Sequence, residues 1–164
     1  MPPVLHVVPG PEAGPLSPTE AQAVLESARL LLLAGDGGPG CLMRGKNLGL
    51  MCDDEDSGEA ALFRRAATAL GARVSHIRPL PPDSDPKVVR DTARILGRLY
   101  DAVECQGLPF PLVQAIRANA GVPVYDAMSS LRQPAAHLVR GVLGDFEGDV
   151  ASLTLQALLL STLA

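Results

Sequence analysis

Asp53-Asp54-Glu55-Asp56, with Glu59 three residues further on, is the stretch of this chain most able to do chemistry. It follows a short apolar run, Leu48–Cys52, and opens the segment Glu59–Leu70, whose apolar residues recur at helical spacing. The acids therefore sit where a strand hands over to a helix, which is where sheets of parallel strands bind their ligands. Magnesium or calcium is one chemistry for such a group, because these ions take oxygen ligands. Consecutive carboxylates point in different directions, and no further acid is placed by sequence to complete a shell, so neither a metal nor a cofactor is expected. The alternative is structural: Asp56 or Ser57 caps the helix, and the carboxylates lie at the positive end of its dipole.

Other motifs carry less. Gly40-Cys41-Leu42-Met43-Arg44-Gly45-Lys46-Asn47 nearly matches a phosphate-cradling loop, but Asn47 replaces the hydroxyl residue that would hold magnesium, and Lys46 opens a strand rather than a helix. His6, His76 and His137 are far apart and stand beside no recognisable nucleophile motif. Cys41, Cys52 and Cys105 are odd in number and share no metal-ligand spacing, so buried, unbridged thiols in a reducing cytoplasm are expected.

The elements that position these residues follow from periodicity. Ser17-Pro18-Thr19-Glu20 reads as a helix start, with apolar positions continuing to about Leu33 and the glycines of 35–40 ending the helix. Four short runs, Leu48–Cys52, Arg73–Ile77, Ala102–Cys105 and Val122–Tyr125, have strand length. The last three follow helical segments at Glu59–Leu70, Pro86–Tyr100 and Phe110–Ala120. Strands alternating with helices imply an α/β fold, a three-layer, doubly wound sheet of four parallel strands. Gly71 and Gly121 stand where left-handed residues would close the preceding helices. Val150–Leu163 is apolar on most sides and should be a docked helix. Its length argues against a membrane span. Of the 164 residues, 47% are hydrophobic and 20% charged, and the net charge is −4 with no basic cluster. Neither nucleic acid nor an anionic membrane surface is a favoured partner.

Three segments carry a family resemblance: Lys46-Asn47-Leu48 through Val74, then Asp91-Thr92-Ala93-Arg94-Ile95-Leu96-Gly97-Arg98-Leu99-Tyr100-Asp101-Ala102, then Ala120-Gly121-Val122-Pro123-Val124-Tyr125. Together they resemble the carbamoyl-phosphate-binding domain of ornithine and aspartate carbamoyltransferases, the second segment leaning toward the ornithine enzymes. Residues 149–163 resemble the helix that ends full-length family members. The resemblance implies an extended lead-in at 1–16, a carbamoyl-phosphate-binding-like domain at 17–148 and a C-terminal helix at 149–164 packing on it. It also implies that the family's amino-acid-binding domain is deleted, with the join near Gly144–Gly148.

The same resemblance locates the site residues. The family holds phosphate with a Ser-Thr-Arg-Thr-Arg motif, and the matching positions here are Asp56, Ser57, Gly58, Glu59 and Ala60. A further family arginine falls on Gln106. The His-Pro-Thr-Gln motif that polarises the carbamoyl group falls on Gln133, Pro134, Ala135 and Ala136, leaving only the proline. The loop that a neighbouring subunit would contribute is altered as well, reading Pro81-Pro82-Asp83-Ser84-Asp85-Pro86. A hydrogen bond to a charged group contributes roughly 1.5–3 kcal/mol, so losing three arginines costs about 4–9 kcal/mol, or roughly three to six decades of affinity. The expectation is a non-catalytic, carbamoyltransferase-like protein with no catalytic residues of its own. It would be a structural or regulatory subunit or a small-ligand binder, in a homotrimer or a hetero-assembly with a carbamoyltransferase. The alternatives are an enzyme of altered chemistry that takes a cation or cationic amine at the acidic crevice, and residual transferase activity completed by a homologous partner.

Overall fold

The computed structural model describes residues 17–35, 39–128, 135–143 and 149–163. The first helix, α1 (Pro18–Ala34), starts on a reciprocal cap. Ser17 Oγ accepts from the Glu20 amide at 3.2 Å, and the Glu20 carboxylate accepts from the Ser17 amide at 2.8 Å. A short 3-10 turn, Pro39–Cys41, leads to β1 (Asn47–Met51). Then come α2 (Gly58–Ala69), β2 (Arg73–Ile77), α3 (Pro86–Leu99), β3 (Ala102–Cys105), α4 (Phe110–Ala120), β4 (Val124–Asp126), α5 (Ala135–Leu143) and α6 (Val150–Leu163).

All pairings in the sheet are parallel, and its order is β2-β1-β3-β4. The expected α/β architecture of four parallel strands is therefore present. The central strands are the buried ones: every residue of β3 is buried, and only Asn47 of β1 is exposed. β2 lies at the edge and is mostly exposed. The fourth strand begins two residues later than its apolar run suggested. Gly121 takes a left-handed backbone at φ 74°, and Pro123 has no N–H to give to a ladder, although its carbonyl accepts from Val103 at 3.0 Å. Gly71, at φ 94°, ends the α2 turn as its position suggested.

Two cores face away from each other across the sheet. One joins Leu48 and Leu50 to Phe63 of α2, Leu31 of α1 and Leu158 and Leu159 of α6. The other joins Met51 and Val103 to Ala93 and Leu96 of α3 and Val113 and Ile116 of α4. A parallel sheet has to be covered on both faces, and α6 provides much of the cover on the first. Its residues Thr154–Leu160 are all buried, which is why the segment reads as apolar all round. Gln156 Nε2 donates to the Ala66 carbonyl at 3.2 Å, the Thr162 and Tyr125 hydroxyls share a hydrogen bond, and Arg65 pairs with Asp149 at 2.7 Å. Among the described residues no helix is long and apolar enough to cross a membrane.

Two further features depart from the sequence reading. No helix was expected at α5, which has only nine residues and gains its stability from contact with α1 and α6 rather than from local signals. Cys41 was expected to be buried but is exposed in the 3-10 turn beside Leu42, itself 37% exposed, whereas Cys52 and Cys105 are buried. The lead-in at 1–16 and the join at 144–148 lie outside the described residues.

The backbones of α3 and α4 approach closely at Gly97. A Cβ added at Gly97 would stand 1.8 Å from the Ala120 carbonyl oxygen, a backbone atom that cannot rotate away. We expect Gly97→Ala to destabilise the protein by about 2 kcal/mol or more, despite a helix-propensity gain of about 1 kcal/mol. A urea unfolding midpoint equal to or above the parent's would contradict this packing.

Candidate functional site

The acidic stretch occupies the turn between the C-terminal tip of β1 and the first turn of α2, as its sequence position required. Two side chains organise the turn. Asp54 Oδ1 accepts from the Asp56 amide at 3.0 Å, and Ser57 Oγ accepts from the Ala60 amide at 3.1 Å, so Ser57 rather than Asp56 is the helix cap. Glu55 faces the Arg64 guanidinium, with Nη2 at 3.7 Å, and the His76 ring, with Nδ1 at 3.6 Å. His76 Nε2 lies 2.7 Å from the Cys52 carbonyl, which can only accept, so that nitrogen carries the proton. The pairs on Glu55 are surface pairs and contribute little energy. The Arg64 guanidinium does offset part of the negative charge at the turn. Among the described residues no group of three or more His, Cys, Asp or Glu side chains is arranged to hold a metal ion.

The positions singled out by the family resemblance are brought together in part. Asp56, Gly58 and Glu59 are exposed at the start of α2, with open space where a Gly58 side chain would stand. Ala60 is completely buried and belongs to the core shared with Phe63 and Leu158. Gln106, just past β3, is 6% exposed, and its Nε2 donates to the Glu59 carbonyl at 3.2 Å. That bond ties the β3 tip to the start of α2. Gln133 and Pro134 lie outside the described residues. Ala136 falls in α5, with its side chain outside them.

A buried polar group at the sheet was not anticipated. Glu104, in the middle of β3, is fully buried, and its Oε1 accepts from the Met128 amide at 3.0 Å. It lies opposite Tyr125 in the β3–β4 register. Burial pushes the Tyr125 phenol well above its ordinary range; the Thr162 hydrogen bond opposes this and the Glu104 charge adds to it. Met128 follows Ala127, whose φ of 53° is the one positive value at a non-glycine among the described residues. On the other face, both Nε and Nη2 of Arg117 donate to the Val124 carbonyl, and desolvation lowers the Arg117 pKa. Burial raises the Cys52 and Cys105 thiols, so neither is an activated nucleophile. A single acid inside an apolar strand run matches no motif, which is why Glu104 gave no signal in the sequence.

No protein-family profile matches the chain. The ornithine carbamoyltransferase of Actinobacillus pleuropneumoniae is 34% identical over 97 residues, which make up 58% of this chain and 29% of that protein. The structure of ornithine carbamoyltransferase from Pyrococcus furiosus matches with a TM-score of 0.56 and 25% identity, covering 65% of this chain and 35% of the other. The catalytic subunit of M. jannaschii aspartate transcarbamoylase matches in fold with a TM-score of 0.59 and 21% identity, covering 81% and 46%. The chain is thus similar in sequence and in fold to part of the ornithine carbamoyltransferases, and in fold to part of the aspartate transcarbamoylase catalytic subunit. It matches less than a third of the length of its curated relatives.

The contrast between two neighbouring positions can be measured. Gly58 is exposed in open space and Ala60 is sealed in the core. Gly58→Arg should leave stability within about 0.5 kcal/mol of the parent, whereas Ala60→Arg should lose more than about 3 kcal/mol by burying an unpaired charge. Equal thermal midpoints for the two variants would show that the Ala60 site is open.

Proposed function

We propose that this chain is a non-catalytic carbamoyltransferase-like protein, a structural or regulatory subunit that assembles as a homotrimer or beside an intact carbamoyltransferase in the cytoplasm. The observation that carries the reading is Ala60. Where the family resemblance places a phosphate-binding arginine, this chain has a methyl group at 0% exposure, enclosed by core residues. Gln106, at another arginine position, uses its amide to hold the Glu59 backbone. The exposed carboxylates of Asp56 and Glu59 flank the same helix start and repel a phosphate dianion.

Assembly is supported by α3. Val88, Ile95 and Leu99 are 49%, 56% and 60% exposed at spacings that place them along one side of the helix. An apolar stripe of this kind favours a covering partner. The rival reading, an altered enzyme whose acidic crevice takes a cation or cationic amine, is weakened because Glu55 already faces Arg64 and His76.

The purified chain, supplied with carbamoyl phosphate and either ornithine or aspartate, should form neither citrulline nor carbamoyl-aspartate, and light scattering should give the mass of three chains. Turnover by the chain alone would sink the non-catalytic reading, and a monomer at micromolar concentration would sink the homotrimer. Citrulline appearing only after an intact homologue is added, above the homologue's own rate, would point instead to activity completed by a partner.

A further inference from the structure

Asp53 and Arg78 line one cleft, and neither makes an ion pair with the other or with any described residue. The cleft, of about 300 Å³, opens at the C-terminal tips of β1, β2 and β3 and is bounded by the segments that follow them. None of Asp56–Ala60 or Gln106 lines it, although Pro81 and Pro82 belong to the loop that the family resemblance lends to a neighbouring subunit.

The lining restricts what can bind. Four of the nine lining residues are prolines, and Leu80 and Leu108 complete an apolar wall. A proline has no N–H and a fixed φ, so this wall offers few donors and a stiff backbone. Recognition of charge falls on Arg78 as donor and Asp53 as acceptor. A phosphate dianion would be repelled by Asp53 and a divalent cation by Arg78. Two opposite charges, farther apart than the 4.0 Å of an ion pair, leave room for one ligand to complete both pairs.

The geometry points to a binding site for a small zwitterion, with an ammonium group at Asp53, a carboxylate at Arg78 and a short hydrocarbon spacer against Leu80 and Leu108. The volume is at the lower end of small-molecule sites, which suits a ligand of this size.

Amide NMR titrations of the full chain with ω-amino acids from glycine to aminohexanoate measure the spacing directly. Each compound is compared with the alkylamine and the alkylcarboxylate of the same length. One length should bind about tenfold tighter than either singly charged analogue, with shifts centred on the Gly107 and Leu108 amides. Asp53→Asn should abolish the advantage over the carboxylate, and Arg78→Gln the advantage over the amine. Both side chains are exposed, so both variants should fold; if one does not, the parent's pattern of shifts decides. The proposal is overturned if all three compounds bind alike at every length, if no shift appears below about 10 mM, or if both variants retain the parent's preference.

Discussion

Every strand of this sheet runs parallel to its neighbours, and a parallel sheet is stable only when helices seal both of its faces. That constraint governs the rest of the molecule. α3 and α4 seal one face around Met51, Val103 and Ile116, while α1, α2 and α6 seal the other around Leu50, Phe63 and Leu158. α6 is the element whose sequence looks least like that of a surface helix, because seven of its residues in a row are buried. Its polar groups are not stranded by this: Gln156 reaches the Ala66 carbonyl and Thr162 reaches Tyr125.

The same demand for cover reaches the tip of β1. Ser57 turns the chain into α2, and the first turn of that helix then drops Ala60 into the core. Asp54 accepts from the Asp56 amide, Ser57 accepts from the Ala60 amide, and Gln106 ties the turn to β3. The turn is therefore tied by two side chains of its own and by Gln106. In the reading proposed above, a site built to neutralise phosphate has become a structural joint whose exposed surface is acidic. The cleft between Asp53 and Arg78 opens at the same C-terminal end of the sheet, with opposite charges over an apolar wall.

Much of this was legible in the residues. Strands Arg73–Ile77 and Ala102–Cys105 and helices Phe110–Ala120 and Val150–Leu163 stand where periodicity and turn chemistry placed them. The Ser17 capping box and the closing glycines at 71 and 121 are local signals, decided within a few residues. Features set by tertiary contact were not legible. α5 depends on α1 and α6, the exposure of Cys41 depends on a turn that leaves it uncovered, and the burial of Glu104 depends on the Met128 amide reaching back to it. Within the site, sequence placed Asp56–Ala60 at the start of a helix but did not distinguish exposed Gly58 from sealed Ala60, a difference of two residues around one turn.

The central claim is that the β1–α2 turn does not bind a phosphate dianion, and calorimetric titration with carbamoyl phosphate tests it most directly. The account predicts no saturable heat up to about 1 mM, because the missing guanidinium contacts correspond to roughly three decades of affinity or more. A sub-millimolar dissociation constant, with one site per chain, would contradict it.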